Sequence, residues 1–594
     1  MSSYQTLNNI NWDNLPIDDF RKSFFIKIYA EKLNLSNPFF IQARIGTVFS
    51  CANEISLYLN SLDYNKNMSY IKNGAEELIE AVETDEVIKA MFQNDWEFYK
   101  NSIKKCVQDK DISSYNKIVL NQVISFILSL KGGYEKSLLS GLKDSIFSTE
   151  FNPQQKDRIL TKIEIYTSKY ITFLLENGFS HLYLYNRLQY FTRVNNYGDK
   201  DFESQFDSIF NKISNERSLF LVYFLISDVK NLRLIRGELN NNNINILESV
   251  GDKINKNNVD KIGKFSKKDK YIEMTIQASD YMAASLIARK NLDKIVDIQF
   301  YSKKIGFMIS DGCVVKSNKG VMHYISMMDI NKKIYNEDSL YSSRYDFFNF
   351  NMLVDSLDST DRDQVLQSLR YVRLARNINS NEQKILNLWI SLESLFLWKG
   401  DAAILTILLQ HVPKIYAQAS ITCRLDLAIK LIKQCNKQIY SDKRNSDLDH
   451  EDIMEIFSKD DLSQKVFYSL NDDLLMYRWA GLNELFKSSS NISKQLEKTE
   501  RDVSRQIRRI YFLRNKISHT GYYTDINPVL TLHLMDYIQV CYISLYRGVS
   551  ECLALDNRKY SFAEVFYYLQ FKSEKFLYDH NKYKKLMCKN IFMI

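Results

Sequence analysis

The chain has 594 residues, 45% of them apolar, with only 17 Gly and 5 Pro. That length predicts two to four domains rather than one core, and so few helix breakers point to a mainly α protein. A net charge of +8 is mild over this length and permits nucleic-acid binding without requiring it, while eight cysteines without a CxxC pair or a Cys/His cluster argue against a metal site and read as reduced thiols of a cytoplasmic protein.

The start, Met1-Ser2-Ser3-Tyr4-Gln5, lacks a basic segment followed by an apolar core, so no signal peptide is expected. Residues 1–245 form the first predicted region, read as successive amphipathic helices over Ile41–Leu59, Ala75–Phe92, Lys117–Leu130 and Asp157–Leu175. No fixed repeat period is visible. Lys131-Gly132-Gly133-Tyr134-Glu135-Lys136-Ser137 has two glycines and a Lys-Ser, but not at phosphate-loop spacing, and reads as a loop between helices. Tyr183, Tyr185, Tyr190 and Phe191 with Arg187 and Arg193 form an aromatic and basic stretch that suits either base stacking or a core with snorkelling ends. The apolar run Leu219–Ile226 is too short to span a bilayer.

Asn240 to Lys270 reads as a polar linker with a basic run from Lys261 to Lys270. Residues 246–345 are the second region, a small β-α-β-β module. Tyr271–Ala278 alternates as a half-buried strand. Asp280 caps a helix over Tyr281–Phe300. Ile305–Ser310 and Cys313–Ser317 read as two strands, with Asp311-Gly312 as a two-residue hairpin turn.

Residues 346–594 return to helical period. Helices are predicted at Asp361–Asn377, Glu382–Trp398, Ala402–Gln410, Ile421–Lys437, Asp472–Ser488, Ile492–Ser518, Asn527–Leu553 and Phe562–Tyr578, enough for a bundle with decorations. His411 lies near a helix end, His450 sits in an acidic loop, and His533 reads as a satisfied bundle residue. Val529–Tyr546 is apolar but carries His533, Asp536 and Gln539, so no membrane span is expected.

The segment Leu513-Arg514-Asn515-Lys516-Ile517-Ser518-His519-Thr520-Gly521 carries the chemistry. At roughly 100° per residue, Val503, Ile507, Ile510, Arg514 and Ile517 share one stripe that should face the bundle. Arg514 interrupts it, which is costly unless the guanidinium is paired or opens into a polar cleft. Arg501, Arg505, Arg508 and Arg509 gather on another face with Lys516, a basic ridge suited to steering an anionic polymer. Thr520-Gly521 predicts the helix end, with Gly521 as a left-handed cap, freeing His519 to swing toward Arg514 or a second copy of the motif. A histidine there suits acid-base work near neutral pH, and the arginine suits a scissile phosphate. Read alone, Arg514 fits a helix-dipole partner or ion pair better than a catalytic group, and His519 an exposed residue.

Arg514-Asn515-Lys516-Ile517-Ser518-His519 resembles the R-N-x-x-x-H signature of the HEPN superfamily. Lys384–Phe396, with Trp389 and the Leu392-Glu393 pair, is similar to the earlier helix of ApeA-like HEPN domains, and the order of the two helices agrees. The resemblance covers roughly residues 353–578 and implies a HEPN-like helical bundle. It implies a metal-independent endoribonuclease that needs no cofactor, uses the RNA 2′-hydroxyl as nucleophile and leaves a cyclic phosphate. By the same resemblance Arg514 and His519 are the catalytic pair, Asn515 assists, and Glu393 and Lys516 support. The implied setting is a toxin or abortive-infection effector of bacterial anti-phage defence. RNA, with tRNA as a candidate class, is its substrate, and it works as a homodimer through the bundle, with the N-terminal half sensing a phage-derived trigger, holding an inhibitory partner or docking RNA. The alternative is a non-catalytic HEPN-type adaptor whose Arg514 is a structural partner of Glu393.

Overall fold

The computed structural model describes residues 12–33, 46–60, 67–148, 153–213, 218–230, 244–262, 269–299, 306–328, 350–378, 380–397, 403–520, 526, 528–556 and 558–583. The protein is mainly α with one small antiparallel sheet. The N-terminal helices are α1 (Phe20–Lys32), α2 (Val48–Leu59), α3 (Met68–Thr84), α4 (Glu86–Met91), α5 (Trp96–Cys106), α6 (Ser114–Ser129), α7 (Lys131–Phe147), α8 (Lys156–Glu176), α9 (His181–Arg187), α10 (Gln189–Thr192) and α11 (Phe202–Ile213). Their apolar stripes converge on one core, in which Phe24, Phe25, Ile55, Leu78 and Phe206 are almost fully buried. The predicted Ala75–Phe92 helix is two helices, because Asp85 is extended and caps α4 through the Val87 and Ile88 amides. Lys131 to Ser137 is no loop but the first turns of α7.

The central sheet has strands β1 (Ser218–Lys230), β2 (Ile244–Leu247), β3 (Lys270–Ala278), β4 (Gly306–Ser317) and β5 (Met322–Ser326) in the order β2-β3-β1-β4-β5. All neighbours are antiparallel. Helix α12 (Lys256–Ile262) lies between β2 and β3 in sequence, and α13 (Tyr281–Gln299) follows β3. The middle strand β1 was not among the predicted elements. Phe220, Val222, Phe224 and Ile226 face the N-terminal core, while Tyr223 and Leu225 pack with Val250, Ile254 and Ile262 on the other face. Burial on both sides removes the period-two signature that marks a strand. The polar stretch read as a linker contains β2 and α12. The basic run falls largely on residues outside the described ones.

The predicted hairpin at Asp311-Gly312 is also corrected. Both residues lie within the single strand β4, at the bulge where the β1 register jumps from Phe224↔Cys313 to Ile226↔Ile309. The hairpin turn lies further on, between Lys316 and Met322, where Gly320 takes φ +80°. A Cβ disfavours that backbone and glycine does not.

The C-terminal helices are α14 (Phe350–Ser356), α15 (Ser359–Asn377), α16 (Asn381–Ser394), α17 (Ile404–Ile432), α18 (His450–Ser458), α19 (Asp460–Ser469), α20 (Asp473–Phe486), α21 (Ser489–Thr520), α22 (Pro528–Leu555) and α23 (Phe562–Tyr583). Two predicted helices are one: α17 runs through Pro413. Proline forfeits one backbone hydrogen bond there, and the burial of Leu408, Val412 and Ile415 around it offsets the loss. Side chains of α16, α17, α21, α22 and α23 form one core, and α17 to α21 form a second. His450 opens α18 rather than lying in a loop, behind a capping box of Asp449 and Asp452, and its Nε2 is 2.8 Å from Asp426. His411 and His533 are buried in the bundle. Among the described residues no helix is long and apolar enough to cross a membrane.

Candidate functional site on the long helix

Helix α21 is 32 residues long, about 48 Å at the α-helical rise. It touches three cores. Ile492 and Leu496 enter the α17–α21 core. Val503, Ile507, Ile510, Leu513 and Ile517 enter the bundle core, as their spacing requires. Phe512 points to the N-terminal core, with ring centroids 4.6 Å from Tyr58 and 5.3 Å from Tyr70.

Arg514 stands where the stripe predicts, yet it is not sealed in. Its side chain keeps 29% of its exposure. Nη1 donates to Asn515 Oδ1 at 3.0 Å, and Nη2 lies 3.7 Å from Glu393 Oε2 on α16. The other Glu393 oxygen accepts the indole N–H of Trp389 at 2.5 Å. Trp389 is fully buried, packs on Tyr511 and so fixes the carboxylate. Ser380 caps α16 and sets where that helix starts. The result is a four-residue polar chain, Trp389–Glu393–Arg514–Asn515. A guanidinium held at one edge retains donors for a planar anion.

His519 is exposed, and α21 continues through Thr520. The expected swing out of helical register is therefore corrected: the histidine is still helical, and Gly521, the expected cap, lies outside the described residues. Five helical positions separate Arg514 from His519, about 140° around the axis and 7.5 Å along it. Lys516 is half-buried between them.

The basic ridge is corrected as well. Arg501 Nη2 and Arg505 Nη1 each lie 2.9 Å from a different oxygen of Glu80 on α3. Arg509 pairs with Glu77 at 3.0 Å and also with Glu54 of α2. Both Arg509 and Glu77 are buried. Burial opposes the Arg509 charge, but Glu54 and Glu77 outweigh it and raise its pKa. Burial pushes the Glu54 carboxyl up while Arg509 pulls it back. Arg508 borders a recess with Tyr58, Tyr70 and Asn73. Arg505 and Arg509 thus form a seam to the N-terminal helices rather than an open basic face, and Arg501 pairs with Glu80 at its exposed outer end. Their acidic partners lie more than 400 residues away in sequence, so only the i,i+3 spacing of Glu77 and Glu80 hinted at an acidic face. The seam needs α2 and α3 close together. Gly74 allows it, since a Cβ there would meet Ile55 Cγ1 at 3.0 Å.

A second junction lies on α20. Arg478 bridges Glu31 and Glu164, each at 2.8 Å. Burial raises the Glu164 pKa, but Arg478 and Lys32 outweigh it and hold the carboxyl far below its ordinary range.

No family model, curated protein or solved structure matches the chain.

Proposed function

We propose that the chain is a metal-independent endoribonuclease of the HEPN type, with Arg514 and His519 as its catalytic pair. The observation that supports this reading most is that Arg514, held beside Glu393, keeps 29% of its exposure rather than being sealed into a pair. The two segments that carry the resemblance, 121 positions apart, meet there through one ion pair.

In the proposed reaction the 2′-hydroxyl oxygen of RNA attacks the adjacent phosphorus and gives up its proton to a base. The P–O5′ bond breaks, and the departing oxygen takes a proton from an acid. The products are a 2′,3′-cyclic phosphate and a 5′-hydroxyl. Arg514 donates N–H groups to the non-bridging oxygens, where negative charge builds up, while Glu393 and Asn515 keep its plane oriented. His519 performs one of the two proton transfers. By the same resemblance two copies of α21 face each other in a homodimer, so that His519 of a second copy can serve where the roughly 140° divergence of Arg514 and His519 on one helix keeps the two apart. Substrate would be RNA, tRNA included, and the setting would be a toxin or abortive-infection effector of anti-phage defence. In this account the N-terminal helices hold α21 through the arginine seam and so reach the site directly.

A second reading, a non-catalytic adaptor that binds RNA or protein, gains support from the seam, because Arg501, Arg505 and Arg509 are spent on carboxylates. Product-end analysis separates the two. Purified protein is incubated with cellular RNA in EDTA, and fragment ends are typed. Cyclic-phosphate ends from the wild type, absent from Arg514→Ala and His519→Ala, are the expected result. Intact RNA under all conditions favours the adaptor.

A further inference from the structure

Arg187 ends helix α9 and is half-buried. Its guanidinium lies 4.3 Å from the Tyr183 ring centroid and 5.1 Å from that of Tyr190. Its Nε is buried without a hydrogen-bond partner, and among the described residues no carboxylate forms an ion pair with it. Arg478, Arg505 and Arg509, by contrast, each meet one or two carboxylates. A buried N–H without an acceptor is unfavourable, and the two tyrosine faces hold the guanidinium without neutralising its charge.

The surroundings make the deficit larger. Lys212 closes the last turn of α11, and Lys319 sits in the β4–β5 turn just before Gly320. Neither has an ion pair among the described residues. Burial, followed by Lys200, Arg187 and Lys319, lowers the Lys212 pKa. Burial and then Arg187 lower that of His323 on β5. Cations from three elements therefore repel one another. The carboxylate that acts on the same rings is Asp280. It is committed to the Ser180 amide at 2.6 Å and hydroxyl at 3.0 Å, and to the Met282 and Ala283 amides at 2.8 Å each. The wall beside Arg187 is aromatic. Tyr281 and His323 stack at 3.9 Å with planes 9° apart, and Tyr183 meets Tyr281 edge-on at 5.5 Å.

We propose that the aromatic surface around Arg187, where α9 meets the Tyr281–His323 stack, binds a nucleotide phosphate, with Arg187 as its central cation. The exposed Lys212 and Lys319 add positive charge beside it, and the Tyr281–His323 stack lies beside the attached base. A phosphate accepts several charge-assisted hydrogen bonds at once, neutralises mutually repelling cations and brings a base that stacks on aromatic rings. The phosphate is carried by a free mononucleotide or by an RNA strand. The site is separate from the long helix, and binding there does not depend on the endoribonuclease reading.

Binding of AMP by calorimetry and of a fluorescein-labelled single-stranded RNA by anisotropy tests this on the full chain. Arg187→Gln should weaken the bound probe about tenfold, as for one lost charge-assisted contact. Lys212→Gln with Lys319→Gln should weaken it several-fold and flatten its salt dependence. If Arg187→Gln fails to fold, the exposed lysine pair decides. Binding of AMP identifies the free nucleotide as the ligand, and binding of RNA without AMP identifies the strand. Failure of both probes to bind up to about 1 mM, or binding unchanged in the folded variants, overturns the proposal.

Discussion

Helix α21 holds two kinds of arginine within two turns. Arg509 is buried between Glu54 and Glu77. Arg514 keeps 29% of its exposure and touches one carboxylate at 3.7 Å. The same side chain on the same helix therefore does different work. The first is enclosed on its polar edges and joins the N-terminal helices to the C-terminal bundle. The second is oriented from behind by Glu393 and Asn515 and open in front. Tight pairing and burial mark a structural arginine, and partial pairing with retained exposure marks one that can meet a ligand.

The largest effect that would break this contrast is on stability. Arg509→Met leaves the buried Glu77 without its cation and Glu54 unpaired beside it, and should cost roughly 3–5 kcal/mol in a urea melt, the range for stripping one partner from a buried pair. Arg514→Met should cost about 1 kcal/mol or less, as for a partly exposed pair. Equal losses would erase the distinction.

Asp502, also on α21, sharpens it. Burial pushes its carboxyl up to about 6 against the pull of Lys498, Arg505 and Arg501, with Glu80 adding to the rise. One of its oxygens is buried without a hydrogen-bond partner. Its folded pKa lies above the ordinary 3.8, so the folded protein holds this proton more tightly than the unfolded chain. The charged form costs stability at pH 7, and stability should rise as pH falls from about 7 toward about 4. Asp502→Asn should add about 1–3 kcal/mol at pH 7 and remove that slope. A loss of stability at pH 7 would show that the charge is paired.

The smallest effect is at the seam's exposed end. Arg501→Ala should cost about 0.5 kcal/mol, less in high salt, because Arg505 still holds Glu80.

The same contrast explains what the sequence disclosed. The bundle-facing stripe of α21 was legible because its period is local, and Arg514 stood out as its one charged member. Glu393 was legible through the resemblance of its helix, whereas Trp389's bond to it was not. The seam was invisible. Arg501, Arg505 and Arg509 read as open basic surface because their partners, Glu54, Glu77 and Glu80, lie on helices that only tertiary folding brings near. Strand β1 escaped for a related reason. Packing on both faces made Leu219–Ile226 a continuous apolar run, and alternation is what distinguishes strand from helix in a sequence. Asp311-Gly312 has turn chemistry, but register with β1 makes it a bulge.

Paired activity and thermal melting of Arg514→Ala tests the central claim most directly, since it asks whether this arginine serves chemistry or structure. RNA cleavage in EDTA by the wild type, lost in the variant at an unchanged melting temperature, is the predicted result. A variant that melts as early as Arg509→Met, or that cleaves RNA as the wild type does, would contradict it.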